Sequence, residues 1–127
     1  MKKILVADDE PAFVDLVKEK LTASGYSVTG TLGGNEALAA LRAERPDLII
    51  ADLNMPLMTG FELSQSVKAD PQYRQIPMIL LSGLVAEDAE AEGLQEGDFY
   101  MAKPLDLKRL LAKIKELLNE DESAGRA

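Results

Sequence analysis

The chain alternates short apolar runs with longer stretches in which apolar residues recur every three or four positions. Lys3 to Asp8, Ser27 to Thr31, Leu48 to Asp52, Met78 to Ser82 and Phe99 to Met101 are brief and bounded by turn formers, which predicts strands. Between the first two, Pro11 to Ser24 places Phe13, Val14, Val17 and Leu21 on one face of a helix, with Gly25 positioned to cap it. The Gly33-Gly34-Asn35 turn leads into a second stripe of Ala37, Leu38 and Leu41, ended by Pro46. A third helix is expected from about Phe61 to Ala69, closed by Asp70-Pro71. A fourth is expected near Glu87 to Gln95, where alanine, glutamate and Gly93 leave only a thin apolar face. Leu107, Leu110, Leu111, Ile114, Leu117 and Leu118 mark a fifth at firm three-to-four spacing. Strands alternating with helices predict repeated βα units and a parallel α/β sheet. Leu48 to Asp52, apolar on both faces, is expected at its centre, and Ser27 to Thr31 is the weaker strand.

Four of the runs stop on reactive side chains: Asp8 and Asp9, Asp52, Ser82, and Lys103. Open parallel sheets bind ligands outside the carboxyl ends of their strands, so these groups are expected to converge. Three carboxylates crowded there repel one another by several kcal/mol in a partly dry site, and a cation among them relieves this. Mg²⁺ suits the set, because it takes a few carboxylate or carbonyl oxygens, keeps several waters and leaves a position for a phosphoryl oxygen. Asp9 and Asp52 are expected to ligate it directly, Asp8 directly or through water, and the backbone carbonyl of Asn54 to add a third protein oxygen. Asp52 would then be the nucleophile for a phosphoryl group. Lys103, Ser82 and loop N–H groups would neutralise the charge on the transferred oxygens. Each residue has an ordinary alternative. Asp8 and Asp9 suit a helix start, Lys103-Pro104 reads as a solvated lysine before a helix-opening proline, and Ser82 can bond to backbone. Only their coincidence at strand ends favours the phosphoryl site.

Composition narrows the choice further. At 127 residues and 46% hydrophobic content, one domain can bury roughly two thirds of the surface of its unfolded chain. Histidine is absent, so the chain cannot donate a phosphoryl group from an imidazole of its own or build a histidine zinc site, and cysteine is absent as well. A formal charge of -8 with no dense Lys/Arg cluster disfavours direct binding of nucleic acid or anionic membrane. The opening MKKILVADDE loses its apolar run at Asp8 and Asp9, too early for a secretory segment, and no stretch approaches a membrane span. A cytoplasmic protein is expected. Residues 1–118 are expected to form one domain, followed by a polar, acidic and disordered tail over 119–127.

Taken together, Asp8-Asp9, the run Asp52-Leu53-Asn54-Met55-Pro56-Leu57-Met58-Thr59-Gly60, Ser82-Gly83, and Tyr100-Met101-Ala102-Lys103-Pro104 resemble the receiver domain of two-component response regulators. The resemblance covers residues 3 to about 118 and is of the chemotaxis-regulator-like kind. It implies a single doubly wound, flavodoxin-like α/β fold whose five parallel strands run in the order 2-1-3-4-5, with five helices. It implies Asp52 as phosphoacceptor, charged by a phosphohistidine on a sensor histidine kinase or histidine phosphotransfer protein. Asp8 and Asp9 match the Mg²⁺-holding acids, Lys103 the phosphate-binding lysine, Ser82 the switch hydroxyl and Tyr100 the aromatic that turns inward with it. Lys103-Pro104 matches a cis peptide. The implied role is a switch acting on a downstream protein target or output domain, with self-phosphorylation and self-dephosphorylation but no turnover enzymology. Two departures stand out. Glu96-Gly97-Asp98-Phe99-Tyr100 replaces the common Gly-Ala-Asp-Asp-Tyr, and the span from Ser82 to Lys103 is one residue short, which bears on the register of the helix near 87–95. Leu84 is apolar where several fast-cycling relatives carry a polar group, which implies slow self-dephosphorylation.

Three other functions compete on this sequence. A haloacid-dehalogenase-like phosphatase would need a second aspartate two residues after its nucleophile, and the chain has Asn54 there. An FMN carrier of the same fold would need a hydroxyl-rich phosphate loop, whereas Asp8-Asp9-Glu10-Pro11 repels a phosphate. A receiver-shaped interaction module that is never phosphorylated would have no use for the complete residue set.

Overall fold

A strand with apolar side chains on both faces needs cover on both sides, and helices packed above and below a parallel sheet provide it. The computed structural model describes residues 1–82, 99–102 and 106–118. Its elements follow the expected alternation: β1 (Lys3–Ala7), α1 (Pro11–Ala23), β2 (Ser27–Thr31), α2 (Gly34–Ala43), β3 (Leu48–Asp52), α3 (Gly60–Ala69), β4 (Met78–Ser82), β5 (Phe99–Ala102) and α4 (Leu107–Leu117). All pairings are parallel and the strand order is β2-β1-β3-β4-β5. The expected helix near 87–95, Leu84, Lys103-Pro104 and the 119–127 tail lie outside the described residues.

Strand periodicity sorts the core into two layers. On one face Ile4, Val6, Leu48, Ile50, Ile79, Leu81 and Met101 pack with Val17 and Leu21 of α1 and Leu110 and Ile114 of α4. On the other, Leu5, Ala7, Ile49, Ala51, Met78 and Leu80 pack with Ala37 and Leu41 of α2 and Leu63 and Val67 of α3. β3 is buried at all five positions, as its sequence requires of a central strand. β2 is the opposite case. Only Thr31 of its five residues is buried, and the strand forms one edge of the sheet.

Local chemistry sets the helix ends. Gly25, at φ +98, follows the last turn of α1, where the Tyr26 N–H donates to the Leu21 carbonyl (3.1 Å) and the Gly25 N–H to that of Thr22 (3.0 Å). This is the paired closure that a left-handed glycine permits, and Tyr26 and Leu21 both lie in the core it seals. α2 stops at Ala43, three residues short of Pro46, because Glu44 already turns extended. α3 starts one residue earlier than expected, at Gly60. The Glu62 N–H donates to Thr59 Oγ1 (3.1 Å) and the Thr59 N–H donates to Glu62 Oε1 (2.9 Å), a reciprocal cap. Among the described residues no helix is long and apolar enough to cross a membrane.

Candidate functional site

The sheet register builds the site. Ala7 of β1 lies opposite Ala51 of β3, so the next residues, Asp8 and Asp52, emerge side by side past the last rung of that strand pair. Neighbouring strands are about 4.8 Å apart, which is the spacing two carboxylates need to share one small cation. Carboxylate oxygens of Asp8, Asp9 and Asp52 all lie within 4.8 Å of one another. Asp8 and Asp52 are buried and Asp9 is exposed, so the cluster has a dry floor and a wet lip.

Both buried acids are oriented by their own backbone. Asp8 Oδ1 accepts the N–H of Glu10 (2.9 Å), and Asp52 Oδ1 accepts the N–H of Asn54 (3.0 Å). The helix-start explanation of the acid pair does not hold. The N-cap of α1 is Glu10, no side chain caps that helix, and its first turn carries no acid. The carboxylates of Asp8 and Asp52 instead stand where strands end, held by short turns.

The segment after Asp52 closes on itself. The Leu53 N–H extends the ladder to the Leu81 carbonyl (2.8 Å), and the Gly60 N–H returns to the Leu53 carbonyl (3.1 Å). Leu53 and Met55 are buried inside this loop, while Leu57 is almost fully exposed with φ +70. A side chain at Gly60 would strike the Asp52 carbonyl and the Leu53 Cα, so α3 begins directly against the peptide of the candidate nucleophile. Met58 lies against Gly34 at the start of α2, which ties the loop to the neighbouring helix.

The residues present fit a hard divalent cation. All three donors are carboxylate oxygens, and an octahedral ion with oxygens at about 2.1 Å spans such a cluster with small side-chain rotations or one intervening water. Asn54, like Asp52, sits in the turn, with its N–H turned to Asp52. Ser82 ends β4 in register with Ala102, the last described residue of β5, and Lys103 follows Ala102 in the sequence. Tyr100 pairs with Leu80 and packs half-buried against the α2/α3 layer.

Two supports escaped the sequence reading. The Thr59-Gly60-Phe61-Glu62 cap has a recognisable Thr-x-x-Glu pattern that could have located the start of α3. Thr31 had no local signal. Its hydroxyl donates to the Val6 carbonyl (3.0 Å), a contact between residues 25 positions apart that only strand pairing creates.

Comparison with known proteins agrees with this architecture. The family described as response regulator receiver domain matches residues 4–115. The response regulator PleD of Caulobacter vibrioides is 36% identical over 98% of the chain and 30% of its own length. The chain spans between 30% and 53% of the length of the curated relatives it matches first. Among solved structures, the receiver domain of a signal transduction histidine kinase from Syntrophus aciditrophicus superposes with a TM-score of 0.87 at 34% identity, covering 95% of this chain and 92% of that one. The response regulator TrrA of Thermotoga maritima, solved in complex with Mg(2+)-BeF, gives 0.80 at 32% identity over 93% of this chain and all of that one.

Proposed function

The chain belongs to the family of response regulator receiver domains, and on that premise we propose that it is a phosphorylation-controlled switch whose acceptor is Asp52. The observation that carries the assignment of residues is the convergence of Asp8, Asp9 and Asp52 at one sheet edge, with Asp52 at the centre of the fold. The cation is Mg²⁺, the ion bound in the relative from Thermotoga maritima. Asp8, Asp9 and Asp52 would hold it, with the Asn54 carbonyl as a further oxygen. Once bound, it offsets the negative charge that builds on the phosphoryl oxygens.

The chain's own residues then perform a displacement. A carboxylate oxygen of Asp52 attacks the phosphorus of a phosphohistidine on a partner protein. The P–N bond breaks as the acyl phosphate P–O bond forms, and the departing imidazole keeps the electron pair and takes up a proton. The Asn54 N–H fixes the rotation of the Asp52 carboxylate, so little reorganisation is needed during attack. Lys103 and Ser82 would contact the new phosphoryl oxygens, and Tyr100 would follow the Ser82 hydroxyl inward. The resulting dianionic group biases a two-state surface around the expected helix near 87–95, β5 and α4, which a downstream protein or output domain reads. Residues 1–118 make up this unit. The phosphodonor is a histidine kinase or phosphotransfer protein, since the chain has no histidine of its own.

Incubation with Mg²⁺ and acetyl phosphate, followed by intact-mass measurement, tests this. A single phosphate adduct is expected in the wild type and none in Asp52→Asn. An adduct that persists in the variant removes Asp52 from its role.

A further inference from the structure

The acid cluster is assembled from two central strands, yet one of its anchors is the sheet's exposed edge. We infer that Thr31, the last residue of β2, is a positioning residue for the Mg²⁺ site, holding Asp8 in place by fastening the end of the edge strand to β1. The inference rests on the assignment of Asp8 as a cation-holding carboxylate.

Thr31 acts through two atoms. Its carbonyl accepts the Asp8 N–H (3.1 Å), the first backbone contact beyond β1, and its hydroxyl donates to the Val6 carbonyl (3.0 Å). Asp8 is thereby held on both sides of its Cα. The amide is fixed by Thr31, and the carboxylate by the N–H of Glu10 (2.9 Å). Beyond Thr31 the ladder ends, because the Leu32 N–H turns away to the Glu36 carboxylate (3.3 Å).

The edge position explains why a hydroxyl is used there. β2 has one neighbouring strand, and its other four residues are exposed or only half-buried, so burial along the strand is concentrated at Thr31. Strand ends of this kind open most readily. If the end of β2 moved, the Asp8 amide would lose its acceptor and its carboxylate would swing out of the cluster. The Thr31 hydroxyl adds a fastening that does not depend on the backbone ladder. At 8% exposure, burying it without a partner would be unfavourable, and the Val6 carbonyl supplies one. Mg²⁺ demands near-ideal octahedral placement of its ligands, so a small loosening of Asp8 registers in cation affinity before it registers in the fold.

Titration calorimetry with Mg²⁺ alone, on wild type, Thr31→Val and Thr31→Ser, tests the inference. Valine keeps the shape and burial but lacks the donor. Its Mg²⁺ dissociation constant is expected to rise roughly tenfold, in line with losses seen when ligand-orienting groups are removed. Serine, which keeps the hydroxyl, is expected to restore most of the affinity. Thr31→Val binding Mg²⁺ as tightly as wild type overturns the inference, even if its metal-free stability falls. Hydrogen exchange on the wild type decides the matter independently of whether the valine variant folds. The Asp8 amide is expected to exchange as slowly as those inside β1, and fast exchange there overturns the inference. A wild type that binds no Mg²⁺ overturns instead the assignment of the acids on which it rests.

Discussion

The ends of β1 and β3 carry the same local turn and use it differently. At each, a buried aspartate accepts the N–H two residues on, through Glu10 at the first and Asn54 at the second. After Asp8 the chain goes straight into α1 by way of Asp9, Glu10 and Pro11. After Asp52 it makes a loop with buried Leu53 and Met55 inside, closed by the Gly60 N–H on the Leu53 carbonyl and capped by Thr59 and Glu62. The first turn sets buried Asp8 beside exposed Asp9, so a cation arriving from water meets one carboxylate at the surface. The second encloses one carboxylate in backbone that cannot drift, as a nucleophile requires. Asp9 and Gly60 express the difference, one exposed and one in contact with the Asp52 peptide.

Substitutions can break this contrast, beginning with the largest effect. In the closed turn, Gly60→Ala forces a methyl group into the Asp52 carbonyl. Backbone on both sides cannot yield, so a loss of about 3 kcal/mol is expected from urea denaturation. In the turn after β1, Glu10→Ala removes an exposed side chain that makes no cap and should change stability by less than about 0.5 kcal/mol. Similar losses at both sites would abolish the distinction.

The cation comes next. Asp9→Asn is expected to weaken Mg²⁺ binding by about an order of magnitude in calorimetric titration. The same variant should melt a few degrees higher than wild type without metal, because one of three mutually repelling charges is gone. A lower metal-free melting temperature would mean that Asp9 supports the fold as well as the site.

Leu57 offers the smallest and most local test. A leucine at φ +70 carries left-handed strain, whereas asparagine adopts that region more readily and its side chain suits the solvent. Leu57→Asn should gain about 0.5 kcal/mol in urea denaturation, a part of the roughly 1–2 kcal/mol that the left-handed region costs an ordinary side chain. Its phosphorylation by acetyl phosphate should be unchanged. A loss of stability would show that the leucine contributes to the loop.

Much of the fold is legible in the chain because its signals are periodic. The burial of every residue in β3 follows from Leu48-Ile49-Ile50-Ala51, and the inward face of α1 from Val14, Val17 and Leu21. Gly25 also reads directly, since a glycine after an amphipathic stripe has a ready use as a helix stop. Element ends were less legible. α3 starts at Gly60 because Thr59 and Glu62 cap each other, and α2 ends at Ala43 because Glu44 turns extended well before the proline that was expected to stop it.

Residue types and their places at run ends were determined by the sequence alone: an acid pair, a lone acid, a hydroxyl and a lysine, each following an apolar strand, with no histidine to act as donor. Apolar periodicity is a local property, and it can be read without knowing which strands are neighbours. The distances that make Asp8, Asp9 and Asp52 one site depend on Ala7 lying opposite Ala51, and the support from Thr31 depends on β2 lying beside β1. Those were decided only by tertiary structure. Strand order and register arise from packing two faces of one sheet at once, and no short stretch of chain contains that information.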